Sequence, residues 1–111
     1  MAELFRTQVM EIEALRSFIR VHKPIVTDHA IREMDNDEVT LDDVLNAIYM
    51  GEIIEDYPKA FPLPACLING QTLDGRPVHV CLSLPPLVKI ITVYVPSSDK
   101  WQDNFRRRKK R

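Results

Sequence analysis

His79 stands in the run Asp74-Gly75-Arg76-Pro77-Val78-His79-Val80, and Tyr94 in the run Ile90-Ile91-Thr92-Val93-Tyr94-Val95-Pro96. Each block sets a side chain able to move a proton among residues that read as strand and core. Imidazole titrates near neutrality, so His79 is the candidate for proton transfer. Tyr94 is a hydrogen-bond donor or second acid, and Arg76 a cation for phosphate. A second polar block, Asp28-His29-Ala30-Ile31-Arg32-Glu33-Met34, carries His29 with Arg32 three residues on and Glu33 four on. In a helix these three share one side. Cleavage of RNA through its own 2′-hydroxyl requires a base, an acid and a cation that stabilises the pentacoordinate phosphate, all of which these side chains supply. The alternative is structural: His79 and Tyr94 pack as a cross-strand pair, and Thr92 is present for its β-propensity.

The elements that must position these groups follow from periodicity. Phe5, Val9, Ile12, Leu15 and Ile19 recur at spacings of three and four, widened by Leu4, Met10, Ala14 and Phe18. That spacing predicts an amphipathic helix over residues 2–20, ended by the turn that Pro24 imposes. Thr27 or Asp28 caps a short second helix through about Met34, and Asp35-Asn36-Asp37-Glu38 reads as a loop. Thr40 with Asp43 three residues on is a capping box for a third helix, whose Leu41, Val44, Leu45 and Ile48 form one stripe before Gly51. From there the period becomes strand-like, with strands expected at 52–57, 65–69, 76–84 and 88–95 and a turn at 71–75. The expectation is an α+β domain over residues 1–105, with about three N-terminal helices on an antiparallel sheet of about four strands. Residues 106–111 form a basic tail.

Strand alternation sorts the candidate residues. Val78, Val80 and Leu82 share one face, and His79, Cys81 and Ser83 the other. On the last strand Ile91, Val93 and Val95 go together, opposite Ile90, Thr92 and Tyr94. With the first set of each pair turned to the helices, His79, Thr92 and Tyr94 meet on the open face of neighbouring strands.

Composition bounds the function. The chain has 111 residues, 45% hydrophobic and 28% charged, with net charge -1. The near-neutral total hides an asymmetry. The last six residues, Arg106 to Arg111, are all basic, which leaves nine basic against sixteen acidic residues in the body. A uniformly basic RNA-binding body is excluded, so any phosphate contact rests on a local cluster and on Arg106, Arg107 and Arg108. The other reading of the tail is a solvated, frayed end. Trp101 with Phe105 is expected to fold back onto the domain. Cys66 and Cys81 lie in apolar runs without zinc-site spacing and read as buried thiols. Glu52, Glu55 and Asp56 read as a solvated edge strand rather than metal ligands. No metal or cofactor is expected. Without an apolar run of membrane-spanning length or a secretory pattern, the expected location is the cytoplasm.

Thr27-Asp28-His29-Ala30 with Met34, Asp42-Asp43-Val44, Gly51-Glu52-Ile53-Ile54-Glu55-Asp56-Tyr57-Pro58, Pro64-Ala65-Cys66-Leu67, Gly75-Arg76-Pro77-Val78-His79-Val80 and Ile91-Thr92-Val93-Tyr94-Val95-Pro96 with Trp101 are short blocks in a fixed order. In that order and spacing, from about Ile25 to Arg107, the chain resembles the bacterial family called domain of unknown function 4258. The resemblance implies a fold of the compact ribonuclease kind that includes barnase-like and RelE-like toxins. It also implies a metal-independent endoribonuclease toxin acting on single-stranded RNA, with a small zinc-finger, helix-turn-helix protein as antitoxin partner. The matching polar positions are His29, Arg76, His79, Thr92 and Tyr94. The chain departs from the wider family after the His29 helix, where an arginine is common and acidic or neutral residues stand here. The alternative function is a non-catalytic module that binds a small DNA-binding protein through the apolar first helix and the sheet edge.

Overall fold

A computed structural model describes the backbone of residues 2–110 and the side chains of residues 12–110. The elements run α1 (Ala2–Val21), β1 (Ile25–Val26), α2 (Asp28–Asp37), α3 (Leu41–Met50), β2 (Glu52–Tyr57), β3 (Ala65–Gln71), β4 (Pro77–Ser83), β5 (Lys89–Tyr94), β6 (Trp101–Gln102) and β7 (Arg107–Arg108). The fold is α+β, as the change of period predicts. Strands β2 to β5 form the expected antiparallel meander. Two features extend it: β1 adds to β5 in parallel, giving a five-stranded mixed sheet in the order β1-β5-β4-β3-β2, and β6 pairs with β7 in a separate hairpin. Both additions are two residues long, too short for a periodicity to register.

The helices cover one face of the sheet. Leu15 and Ile19 of α1, Ala30 and Met34 of α2, and Val44, Ala47 and Ile48 of α3 meet Cys66, Ile68, Val78, Val80, Leu82, Ile90 and Val93 in a single core. Phe5, Val9, Leu4 and Met10, the N-terminal half of the expected α1 stripe, lie outside the described side chains. Arg16 fixes α1 to α3: its Nε donates to the Ile48 carbonyl (3.0 Å) and its NH2 to the Gly51 carbonyl (2.8 Å), satisfying oxygens that the end of α3 leaves unpaired. The capping box of α3 is present, with Thr40 N–H donating to Asp43 and Asp43 N–H to the Thr40 hydroxyl. Asp43 also accepts from Leu73 N–H (2.8 Å), which ties the β3–β4 turn to the start of α3. These backbone donors hold its carboxyl below the usual carboxylate range.

Two local expectations are corrected. The acidic run after Met34 is the last turn of α2, which continues to Asp37 because Glu38, with φ 54°, adopts the left-handed conformation and closes the helix, Val39 N–H reaching the Met34 carbonyl. Arg76 completes that end by donating to the carbonyls of Asp37 and Glu38, both at 2.8 Å. Ile90, grouped by alternation with Thr92 and Tyr94, lies in the core instead. The ladder slips between Cys81 and Leu82, pairing Cys81 with Thr92 but Leu82 with Ile90, so Ile91 is bulged and the side-chain order inverts across it.

The Glu38 geometry sets a stability prediction. A non-glycine residue in this conformation costs about 1–2 kcal/mol, partly offset on replacement by the greater freedom of glycine in the unfolded chain. Glu38→Gly is expected to stabilise the domain by about 0.5–1 kcal/mol in urea unfolding, since the Arg76 contacts to backbone oxygens remain. A loss of stability would contradict this account of the helix end.

Candidate functional site

On the sheet face turned away from the helices, register brings distant residues into rows. Glu52, Asn69, His79 and Tyr94 pair in sequence across β2, β3, β4 and β5; the next row is Glu55, Leu67, Cys81 and Thr92. His79, Thr92 and Tyr94 thus share a face, as alternation predicts. The bulge on β2 between Ile53 and Glu55 brings both Glu52 and Glu55 onto it.

This face is covered. The chain returns through the β6–β7 hairpin, and the imidazole of His79 is 0% exposed. Its Nε2 is 2.9 Å from the carbonyl oxygen of Phe105, so that nitrogen carries the proton and donates. Its Nδ1, 3.1 Å from the Tyr94 hydroxyl, accepts. Trp101, 4% exposed, packs edge-on against the imidazole with ring centroids 4.4 Å apart, and Tyr94 does so at 5.2 Å. Burial pushes the His79 pKa below its ordinary value, so the ring is neutral at neutral pH. Burial also raises Tyr94, which keeps its phenolic proton, and raises the Cys81 thiol.

The tail is not frayed through Arg108: it is paired to the acidic strand β2. Arg106 Nε donates to Glu52 (2.9 Å), and Arg108 donates to both oxygens of Glu55, at 2.9 and 3.1 Å. The Arg108 guanidinium also lies 4.6 Å from the Trp101 ring centre, a cation–π contact. Burial works to raise the Glu55 carboxyl, but hydrogen bonds from Arg108 and Tyr57 outweigh it and keep it ionised. Tyr57 is pushed up to about 12 by burial and by that carboxylate. Arg107 is exposed and faces Asp103, with Nε 3.5 Å from the carboxylate. The contribution of Glu52 and Glu55 is absent from the sequence reading of β2 as a solvated edge. The available signal is a match of two acidic positions on one strand with two basic positions near the chain end.

The other candidate residues lie elsewhere. Arg76 commits Nε to Asp74 (3.3 Å) and its terminal nitrogens to the end of α2, away from the His79–Tyr94 pair. His29 is exposed, its Nε2 3.3 Å from Glu33 Oε1, and Arg32 is exposed on the same helix. Glu33 accepts from Val93 N–H (2.9 Å) at the edge of β5, where its charge contributes to raising Tyr94. His29 therefore meets the site only at second hand, through Glu33.

A cavity of about 400 Å³ opens beside Tyr94, bounded also by Ser97, Lys100, Trp101 and Arg108. It joins two cations and a phenol, which suits a phosphate group. Among the described residues no group of three His, Cys, Asp or Glu side chains is placed to hold a metal ion, and no helix is long and apolar enough to cross a membrane.

No curated protein and no solved structure matches the chain. The family profile described as domain of unknown function (DUF4258) matches residues 26–95, from β1 through β5, and so includes His29, Arg76, His79 and Tyr94 while ending before the hairpin that covers His79. The chain therefore belongs to the DUF4258 family.

Proposed function

We propose that this protein is a toxin-type endoribonuclease that cleaves single-stranded RNA in the cytoplasm by acid–base chemistry. The observation that carries the reading is the cavity beside Tyr94, in which a phenol hydrogen-bonded to a neutral histidine adjoins Lys100 and Arg108. Arg108 and Lys100 hold the scissile phosphate. Tyr94 takes the proton of the 2′-hydroxyl while passing its own proton to Nδ1 of His79. The 2′ oxygen attacks phosphorus, and Lys100, exposed at the cavity, protonates the departing 5′ oxygen. The products are a 2′,3′-cyclic phosphate and a 5′-hydroxyl end. Relative to the sequence reading, phosphate binding passes from Arg76 to Arg108 and Lys100, because Arg76 is held at the end of α2 while these two line the cavity beside Tyr94.

The test is incubation of the purified protein with an end-labelled RNA oligonucleotide in the presence of a chelator, followed by mapping of the ends. Cyclic phosphate ends are expected from wild type. Tyr94→Phe is expected to lower the rate about 10²-fold or more while remaining folded, the usual scale for a lost proton-transfer group. No cleavage and no RNA binding by folded wild type would remove the reading.

A second reading, a module that binds a small zinc-finger, helix-turn-helix protein, is favoured by a different observation. Val21, Ile25 and Leu87 are 76, 50 and 42% exposed; Ile25 and Leu87 border a groove of about 440 Å³ with Phe18 and Val88 at the β1 edge. Apolar residues gathered at an open strand edge suit a protein partner. Leu87→Asp is expected to abolish such binding without altering RNA cleavage, as read in a two-protein gel-filtration assay.

A further inference from the structure

The hairpin over His79 differs from the rest of the domain in how it is held. Of residues 101–108 only Trp101 is buried and Phe105 half-buried, and the hydrogen bonds and ion pairs that tie the strap down are few. Asn69 Nδ2 donates to the Asn104 carbonyl (3.1 Å), His79 Nε2 to the Phe105 carbonyl, Arg106 pairs with Glu52, and Arg108 with Glu55. Exposed ion pairs of this kind hold weakly, because water screens both charges. The turn itself is strained: Asp103, Asn104 and Phe105 are consecutive non-glycine residues at φ 56°, 54° and 67°. Left-handed backbone is unfavourable for non-glycine residues, and that strain is released when the turn lifts.

The hairpin also divides open space. On one side lies the cavity with Tyr94, Lys100 and Arg108; on the other a cleft of about 700 Å³ contains Asn46, Asn69, Gln71, Asn104 and Arg106. Between them the Asn104 and Phe105 carbonyls sit on the side-chain donors of Asn69 and His79. The oxygens of a phosphodiester strand would seek the same donors. The strap thus fills, with its own acceptors, the middle of a groove that crosses the polar row of the sheet.

We propose that residues 101–108 form an autoinhibitory strap that opens independently of the sheet, joining the two cavities and uncovering His79 for single-stranded RNA. The proposal rests on the cleavage reading for its substrate, while the opening is a property of the fold. In the closed form Nε2 of His79 is occupied and the ring is shielded by Trp101. In the closed form Arg108 is paired to Glu55, so the phosphate contact that the cleavage reading assigns to it forms once the strap lifts and frees Arg106 and Arg108.

The test uses the full chain, comparing wild type with Glu52→Gln, which removes one pin at the wall of the larger cleft and leaves the lining of the cavity beside Tyr94 intact. Hydrogen exchange read by mass spectrometry reports the strap and β4 separately, and diethyl pyrocarbonate reports His79 against exposed His22 and His29. A strap that opens on its own exchanges about 30-fold or more faster than β4, after correction for intrinsic rates. Glu52→Gln is expected to speed strap exchange and His79 modification together by about 3–5-fold, as loss of one ion pair implies, with β4 unchanged. RNA cleavage should rise by a similar factor. Strap amides exchanging in step with β4, or His79 reactivity indifferent to Glu52→Gln, would overturn the strap. Independent opening without any RNA cleavage would keep the strap and remove the ribonuclease reading; cleavage with the strap locked to the core would do the reverse.

Discussion

His79→Ala is expected to lower RNA cleavage by about 10²–10⁴-fold, the range for loss of a general base, and to destabilise the domain by about 2–4 kcal/mol. Both effects come from one geometry. The imidazole fills a fully buried site among Tyr94, Trp101 and the Phe105 carbonyl, and its removal leaves a cavity and two polar groups without their partner. Because activity and stability fall together, the decisive comparison is with Tyr94→Phe, which keeps the ring contacts and loses only the hydroxyl. A cleavage loss in Tyr94→Phe with a stability change near 1 kcal/mol assigns the loss to chemistry.

The pH dependence gives an independent check on His79. Its ordinary value is 6.5, and burial lowers it in the folded protein. Below about 6.5 the unfolded chain therefore binds a proton that the folded chain refuses. The stability associated with neutral His79 is fully present above that pH and is lost as pH falls from 6.5 toward the folded value. His79→Ala lacks this component, so the stability gap between wild type and variant should narrow over that window in urea titrations. A gap that widens on acidification would mean that the buried ring is protonated.

Gly70→Ala is the second substitution with a large expected effect, about 3 kcal/mol of destabilisation, at the upper end for overpacking a tight interface. Gly70 lies on β3 where α3 crosses it, and a methyl group there would stand 2.6 Å from the Ala47 Cα and 2.7 Å from both its Cβ and its carbonyl oxygen. Two of these atoms are backbone, so trimming the helix with Ala47→Gly should restore little of the loss. Gly75→Ala makes the contrast: it stands at φ 87° in an open turn, where an added methyl meets nothing and the only penalty is the backbone conformation, about 1 kcal/mol. Urea midpoints for the three variants separate steric from conformational causes. Full rescue by Ala47→Gly would show that the close approach of α3 to β3 can relax.

The linear sequence is sufficient for whatever depends on neighbours along the chain. The capping box at Thr40 and Asp43, the stripe of α3, the strands of the meander and the shared face of His79, Thr92 and Tyr94 are local patterns, set by helical or two-residue periodicity. It also determined that Trp101 would return to the domain, because an indole near the chain end has a large apolar area to bury. What that face becomes depends on long-range packing. Arg76 looks like a phosphate ligand until the turn after β3 brings it to the end of α2, and its role there depends on contacts almost forty residues away. Glu52 and Glu55 look like a solvated edge until Arg106 and Arg108 meet them more than fifty residues later. The parallel β1–β5 pair, the bulge at Ile91 and the burial of His79 under the strap arise in the same way. Each is a pairing between segments remote in sequence, fixed by how the helices and sheet pack rather than by the propensities of either segment alone.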